Sequence, residues 1–115
     1  MHRPERIAET LLEEIAQIVG YELEDPRLTS VTVTEVRVAP DLRDASVYVT
    51  VAGDEAEHNK ALRALQHAAP YVRKQLGFAL NLRHTPALHF VRDTVEEKAT
   101  RVDTLLEGIE KGSEL

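Results

Sequence analysis

Apolar residues recur along this chain with two different periods, and the switches between them divide it into elements. In "PERIAETLLEEIAQIV", Ile7, Leu11, Leu12, Ile15, Ile18 and Val19 share one helical stripe, with glutamates opposite. Pro4 suits the first turn of that helix, and Gly20 predicts its C-terminal stop. "YELEDPRLTS" reads as a loop, because Pro26 steers Asp25 away from helical backbone. "VTVTEVRV" is β-branched and predicts a strand whose apolar phase slips between Val33 and Val36. A slip of that kind marks either a bulge or a strand covered on both faces. "APDLRD" is a turn, and in "ASVYVTVAG" Val47, Val49 and Val51 alternate cleanly. The two strands therefore pair as a hairpin.

Helical periodicity returns after Asp54, which is placed to cap a helix, with Glu57 three residues on forming a weak capping box. "EAEHNKALRALQHAA" turns Ala61, Leu62, Leu65 and Ala68 inward; "PYVRKQLGFALNL" does the same with Val72, Leu76, Ala79 and Leu80. Pro70 lies between them. A proline costs the interior of a straight helix about 3 kcal/mol but fits the first turn of a new one. Two helices meeting at an angle near Ala68-Ala69-Pro70 are expected. "TPALHFVRD" predicts a third strand, and "DTVEEKATRVDTLLEGIE" a last helix with Val95, Ala99, Val102, Leu106 and Ile109 on one side. The order is α-β-β-α-α-β-α, an α+β arrangement without internal repeats, low-complexity segments or linkers.

At 115 residues this is a single domain with one core. Apolar residues make up 43% and charged residues 30%, too apolar for a disordered chain. Cysteine is absent, which excludes disulfides, thiolate–zinc sites and thiol nucleophiles. No apolar run approaches the ~20 residues of a membrane span, and the Glu-rich first helix is unlike a signal or transit peptide. A cytoplasmic setting and no membrane association are expected.

Charge is distributed unevenly. Residues 1–57 carry 5 Lys/Arg against 13 Asp/Glu, residues 93–115 carry 3 against 7, and residues 58–92 carry 6 against none. At 100° per residue, Lys60, Arg63 and His67 lie within about 60° of each other, away from Leu62 and Leu65. If the second helix roughly continues the first, Lys74 joins the same stripe, Arg73 borders it, and Arg83 and His84 follow. One reading is an ordinary solvated helix face. That reading accepts Glu as readily as Lys, and the first helix of this chain uses Glu freely. The other reading is an anion-facing surface, with RNA or DNA phosphates as the anion. The net charge of −6 opposes nucleic acid on average, but charges farther apart than ~8 Å are largely screened at physiological salt.

Catalytic apparatus is not recognisable. None of His2, His58, His67, His84 and His89 forms an HExxH or an i, i+4 ligand pair; His84 and His89 could meet, but without a nearby carboxylate or thiol they make a poor zinc site. Ser30, Ser46 and Ser113 lie in no G-x-S-x-G. The five glycines are scattered, leaving no phosphate-cradling loop, and Glu13 and Glu14 are 100° apart on a helix. No catalytic residue, metal site or cofactor is expected.

Several stretches, in order, resemble the bacterial ribosome-binding factor A family. "RPERIAETLLEEIAQIV" is similar to its first helix, "EDPRL" to its signature loop, and "VTVTEVRVAPDLRDASVYVTV" to its Val-rich hairpin. "LNLRHTPALHFVRD" resembles its run into the last strand and "DTVEEKATRVDTLL" its closing segment, so the likeness covers roughly residues 3–109. The resemblance implies a type II KH-like domain, α-β-β-α-α-β, over residues 1–93, with a kinked central helix pair. An additional C-terminal helix and tail, 94–115, would belong to the same domain. KH domains usually hold single strands with a Gly-x-x-Gly loop; this family has an interhelical kink, typically Ala-x-Gly. Here it reads Ala68-Ala69-Pro70, which can supply the bend but removes the backbone donor that Gly would keep.

The implied role is late maturation of the small ribosomal subunit. Its partners would be free 30S particles, their precursors and 16S rRNA, with assistance to rRNA end processing and growth in the cold. On that reading Lys60, Arg63, Arg73, Lys74 and Arg83 contact phosphate, and Ala68 allows close approach at the bend. Arg37 and Arg43 are weaker candidates because acidic residues flank them; Tyr71 is either a stacking residue or half-buried. Two other classes stay open: a generic single-stranded RNA-binding KH module, and a protein-interaction module docking through the last helix. A monomer is expected.

Overall fold

The clean alternation of "ASVYVTV" becomes the middle of the sheet. A computed structural model describes residues 4–94, with side chains from Arg6 onward. Strand β1 (Val31–Val38) runs antiparallel to β2 (Asp44–Val51), and β3 (Ala87–Arg92) lies parallel to β2 on its other side. Ala45, Val47, Val49 and Val51 are all buried on one face of β2. The expected slip in β1 is a β-bulge: the register shifts between Val33 and Glu35, with Val33 opposite Val49 and Glu35 opposite Tyr48. Thr34, the extra residue, is within 3.2 Å of the Tyr48 carbonyl and 2.5 Å of an Asp93 carboxylate oxygen. Its single proton serves the shorter contact. Asp93 is buried and also donates its N–H to the Val49 carbonyl, so the bulge fixes the exit of β3.

Helix α1 (Pro4–Gln17) packs over β1 and buries Leu11 and Ile15. It does not stop at Gly20. The chain continues as a π-turn, Ile18–Glu22, closed by the Leu23 N–H on the Ile18 carbonyl, and this keeps Ile18 and Val19 in the core. Gly20 is helical and solvent-facing, with open space where a Cβ would stand. The "EDPRL" loop is a clamp rather than an open connection. Asp25 accepts the Arg27 N–H at 2.9 Å and both the Nε and Nη2 of its guanidinium at 3.1 and 2.7 Å. That hydrogen bonding holds the Asp25 carboxyl below its usual range. A short 3-10 turn, Pro26–Leu28, then drops Leu28 into the core.

Helix α2 (Glu55–Leu80) corrects the expectation of two separate helices. It is one element of 26 residues with Pro70 inside it. Pro70 removes the N–H that the Gln66 carbonyl would otherwise accept, a local cost. Buried side chains hold the helix on both sides of that defect: Ala61, Ala64 and Leu65 before it, Val72 and Leu76 after it. Each fully buried large side chain is worth about 1.5–3 kcal/mol, so anchoring outweighs one lost bond. Ala79, expected inward, is exposed. The capping box is complete: Glu57 N–H donates to Asp54 at 2.9 Å, and Asp54 N–H to the Glu57 carboxylate at 3.0 Å. The expected last helix lies outside the described residues.

Candidate nucleic-acid interface

Two parallel strands need a crossover between them, and α2 is that crossover. It therefore lies across the sheet with one face buried and the other free. The acid-free stretch, residues 58–92, begins just after the capping box and runs through α2, the following loop and β3. Carboxylates thus stop where their role at the helix N-terminus ends.

Because α2 is continuous, its outer face can be read directly. Lys60, Arg63, His67 and Lys74 fall within about 60° of each other and span about 21 Å of helix. All four are exposed. Among the described residues, no carboxylate lies in salt-bridge range of Lys60, Arg63, Lys74 or Arg83. The four ion pairs seen, Arg27–Asp25, Arg37–Glu35, His89–Asp44 and Arg92–Glu55, all use cations off this ridge. The ridge is neither buried nor neutralised by carboxylates of the described residues.

At its C-terminal end the ridge opens into a groove of about 660 Å³ between α2 and residues 81–85. Arg73, Lys74, Arg83 and His84 line it, together with Gly77, Phe78 and Asn81. Its geometry follows from three local features. Asn81 ends the helix in the left-handed region (φ 54°, ψ 47°), turning the chain back. Leu82 N–H reaches the Gly77 carbonyl at 3.0 Å. Gly77 lets the returning loop come close, since a Cβ there would stand 2.7 Å from the Thr85 hydroxyl. Arg73 then donates Nε–H to the Thr85 carbonyl at 2.9 Å. Its guanidinium is part of the wall of the groove as well as a cation facing it.

The structure thus brings Arg73, Lys74 and Arg83 together in one groove and sets Lys60 and Arg63 farther along the same ridge. Ala68 is half-buried and packs against the core, on the flank of the helix rather than its crest. Arg37 is engaged internally, paired with Glu35 at 2.8 Å and stacked 5.6 Å above the Tyr48 ring. One residue escaped the sequence reading: Phe78, 70% exposed on the groove. Its signal was present, because eighteen residues are five full turns and place Phe78 directly in line with Lys60. Among the described residues no group of three or more His, Asp or Glu could hold a metal ion, and no helix is long and apolar enough to cross a membrane.

Comparison with known proteins bears on this surface. The family model described as ribosome-binding factor A matches residues 3–106. This chain belongs to the ribosome-binding factor A family. The family member from Solibacter usitatus is 46% identical over 101 residues, 88% of this chain and 82% of that protein. The one from Desulfitobacterium hafniense (strain DSM 10664 / DCB-2) is 45% identical over 113 residues, 98% of this chain and 90% of its own. The crystal structure of ribosome-binding factor A from Thermus thermophilus superposes with a TM-score of 0.71 at 32% identity, covering 79% of this chain and 97% of that one. A homology model of the Thermus thermophilus factor, fitted into a cryo-electron-microscopy map of a 30S–ribosome-binding factor A complex, gives 0.67 at 32% identity, covering 78% and 94%. The family's mixed α+β fold, with a three-stranded sheet and two helices, is the one described above.

Proposed function

We propose that this chain binds the small (30S) ribosomal subunit and its precursors, contacting 16S rRNA through the outer face of α2 and the groove at its C-terminal end. The observation that carries this reading is the ridge itself: Lys60, Arg63, Lys74 and Arg83 are exposed, free of carboxylate partners among the described residues, and set in a stretch without Asp or Glu. Carboxylates there would repel a phosphate backbone; elsewhere they keep the protein soluble. Family membership and the 30S complex of the Thermus thermophilus relative support the partner. The antiparallel hairpin followed by a parallel third strand is compatible with a type II KH-like domain in which a long helix replaces the Gly-x-x-Gly loop. Within the cell the role would be late subunit maturation, including processing of 16S rRNA ends and support of growth in the cold. The chain works by binding, stabilising one RNA arrangement through differential affinity.

The test is charge reversal on the ridge. Lys60→Glu, Arg63→Glu and Lys74→Glu together should abolish co-sedimentation with small subunits while the thermal melt stays within about 0.5 kcal/mol, as usual for exposed sites. A folded triple variant that still co-sediments would defeat the assignment. In the unmodified protein, four neutralised phosphates give a fall of log K with log salt of slope about −3.

A further inference from the structure

Two of the chain's five aromatic residues stand on this same ridge. Tyr71 is 45% and Phe78 70% exposed, whereas the other phenylalanine, Phe90, is in the core. On the continuous helix both rings fall within about 80° of Lys60, Arg63 and Lys74. Tyr71 and Phe78 are two turns apart, about 10 Å along the axis. Lys74 is three residues after one and four before the other, so it neighbours both on the helix surface.

Isolated exposed apolar side chains are ordinary on a protein surface. What sets these apart is their surroundings. Tyr48, on the sheet, is covered by Arg37, a cation of its own chain that is itself neutralised by Glu35. Among the described residues, no cation lies over the ring of Tyr71 or Phe78, and Lys74 between them has no carboxylate. Rings with free faces alternating with unpaired cations form the combination that holds an unpaired nucleic-acid strand: stacking for bases, charge for the backbone between them. A duplex hides the faces of its bases and could use only the cations.

We propose that Phe78 and Tyr71 are stacking platforms for successive unpaired bases, with Lys74 holding the phosphate between them, so that α2 selects single-stranded over paired RNA. This rests on the RNA-binding reading above and specifies its ligand.

The chain contains no Trp, so Phe78→Trp places a single reporter at the site. Its fluorescence should be quenched by an unpaired RNA oligonucleotide and unchanged by a fully paired, blunt-ended duplex of equal length. Phe78→Ala should weaken affinity for the unpaired strand about 5- to 150-fold, the range for one lost stacking partner. Affinity for the duplex should stay within twofold. Retained single-strand binding by Phe78→Trp with no quenching, and unchanged affinity in Phe78→Ala, would overturn the stacking role and leave the cationic ridge standing. If Phe78→Ala loses small-subunit association while naked-RNA affinity is unchanged, Phe78 faces a protein and the proposal fails. No affinity of the unmodified protein for RNA in either form would overturn both readings.

Discussion

Helices α1 and α2 lie on the same sheet and bury the same kind of stripe, but they show solvent opposite faces. Leu11 and Ile15 of α1, like Leu65 and Leu76 of α2, are buried to within 1% of full coverage. Outside, α1 displays Glu9 and Glu13, while α2 beyond its first turn displays Lys60, Arg63, Lys74 and Phe78. Packing dictates the inner faces and is indifferent to the sign of charge on the outer ones. On the function proposed above, the sign outside records what each face meets: water for α1, phosphate for α2.

The contrast can be broken where α2 differs most from an ideal helix. Pro70→Ala restores a donor to the Gln66 carbonyl and should stabilise the protein by about 1–3 kcal/mol, read as a higher denaturation midpoint with unchanged m-value. It should not raise RNA affinity, because inside a continuous helix the restored N–H is taken by that carbonyl and is not offered to phosphate. A gain in affinity would mean that the helix opens at Pro70 when RNA binds.

A smaller effect is expected at Arg73, which both walls the groove and faces it. Arg73→Lys keeps the charge but not the guanidinium that reaches the Thr85 carbonyl, and should cost about 0.5–1.5 kcal/mol of stability. RNA affinity should fall only a few-fold. An unchanged melt would show that the 2.9 Å contact does not hold the loop. The smallest effect sharpens the comparison itself. Glu9→Lys with Glu13→Lys on α1 should move stability by less than about 0.5 kcal/mol and leave the salt slope of subunit binding unchanged. A steeper slope would bring α1 into the interface.

What the sequence disclosed follows the same division. The strands and the hairpin were readable from β-branched alternation, and the slip in "VTVTEVRV" marked the bulge at Thr34, because one inserted residue must invert the phase of all that follow. The cap at Asp54 was readable for the same local reason. Features that depend on tertiary context were not. Pro70 reads as a break because its cost is local, whereas the side chains that carry α2 past it are anchored by strands distant in sequence. Gly20 reads as a stop, yet the π-turn carries it through because Ile18 and Val19 need burial. At the candidate site the ridge was legible from charge alone. Phe78 went unassigned because the ridge was traced by charge and a ring carries none, and the tie from Arg73 to Thr85 spans twelve residues and leaves no pattern.

One consequence lies in the parallel pairing of β2 with β3. Those strands can join only across a segment that travels back along the length of the sheet, so the third strand and α2 complete the fold together. The surface proposed to meet the ribosome is thus carried by the same segment that completes the architecture. A chain released before residue 87 lacks the strand that closes the sheet, and the groove wall at Thr85 has nothing downstream to hold it in place. If that surface is the one that binds the particle, recognition is reserved for finished copies, a form of quality control that needs no separate inspector.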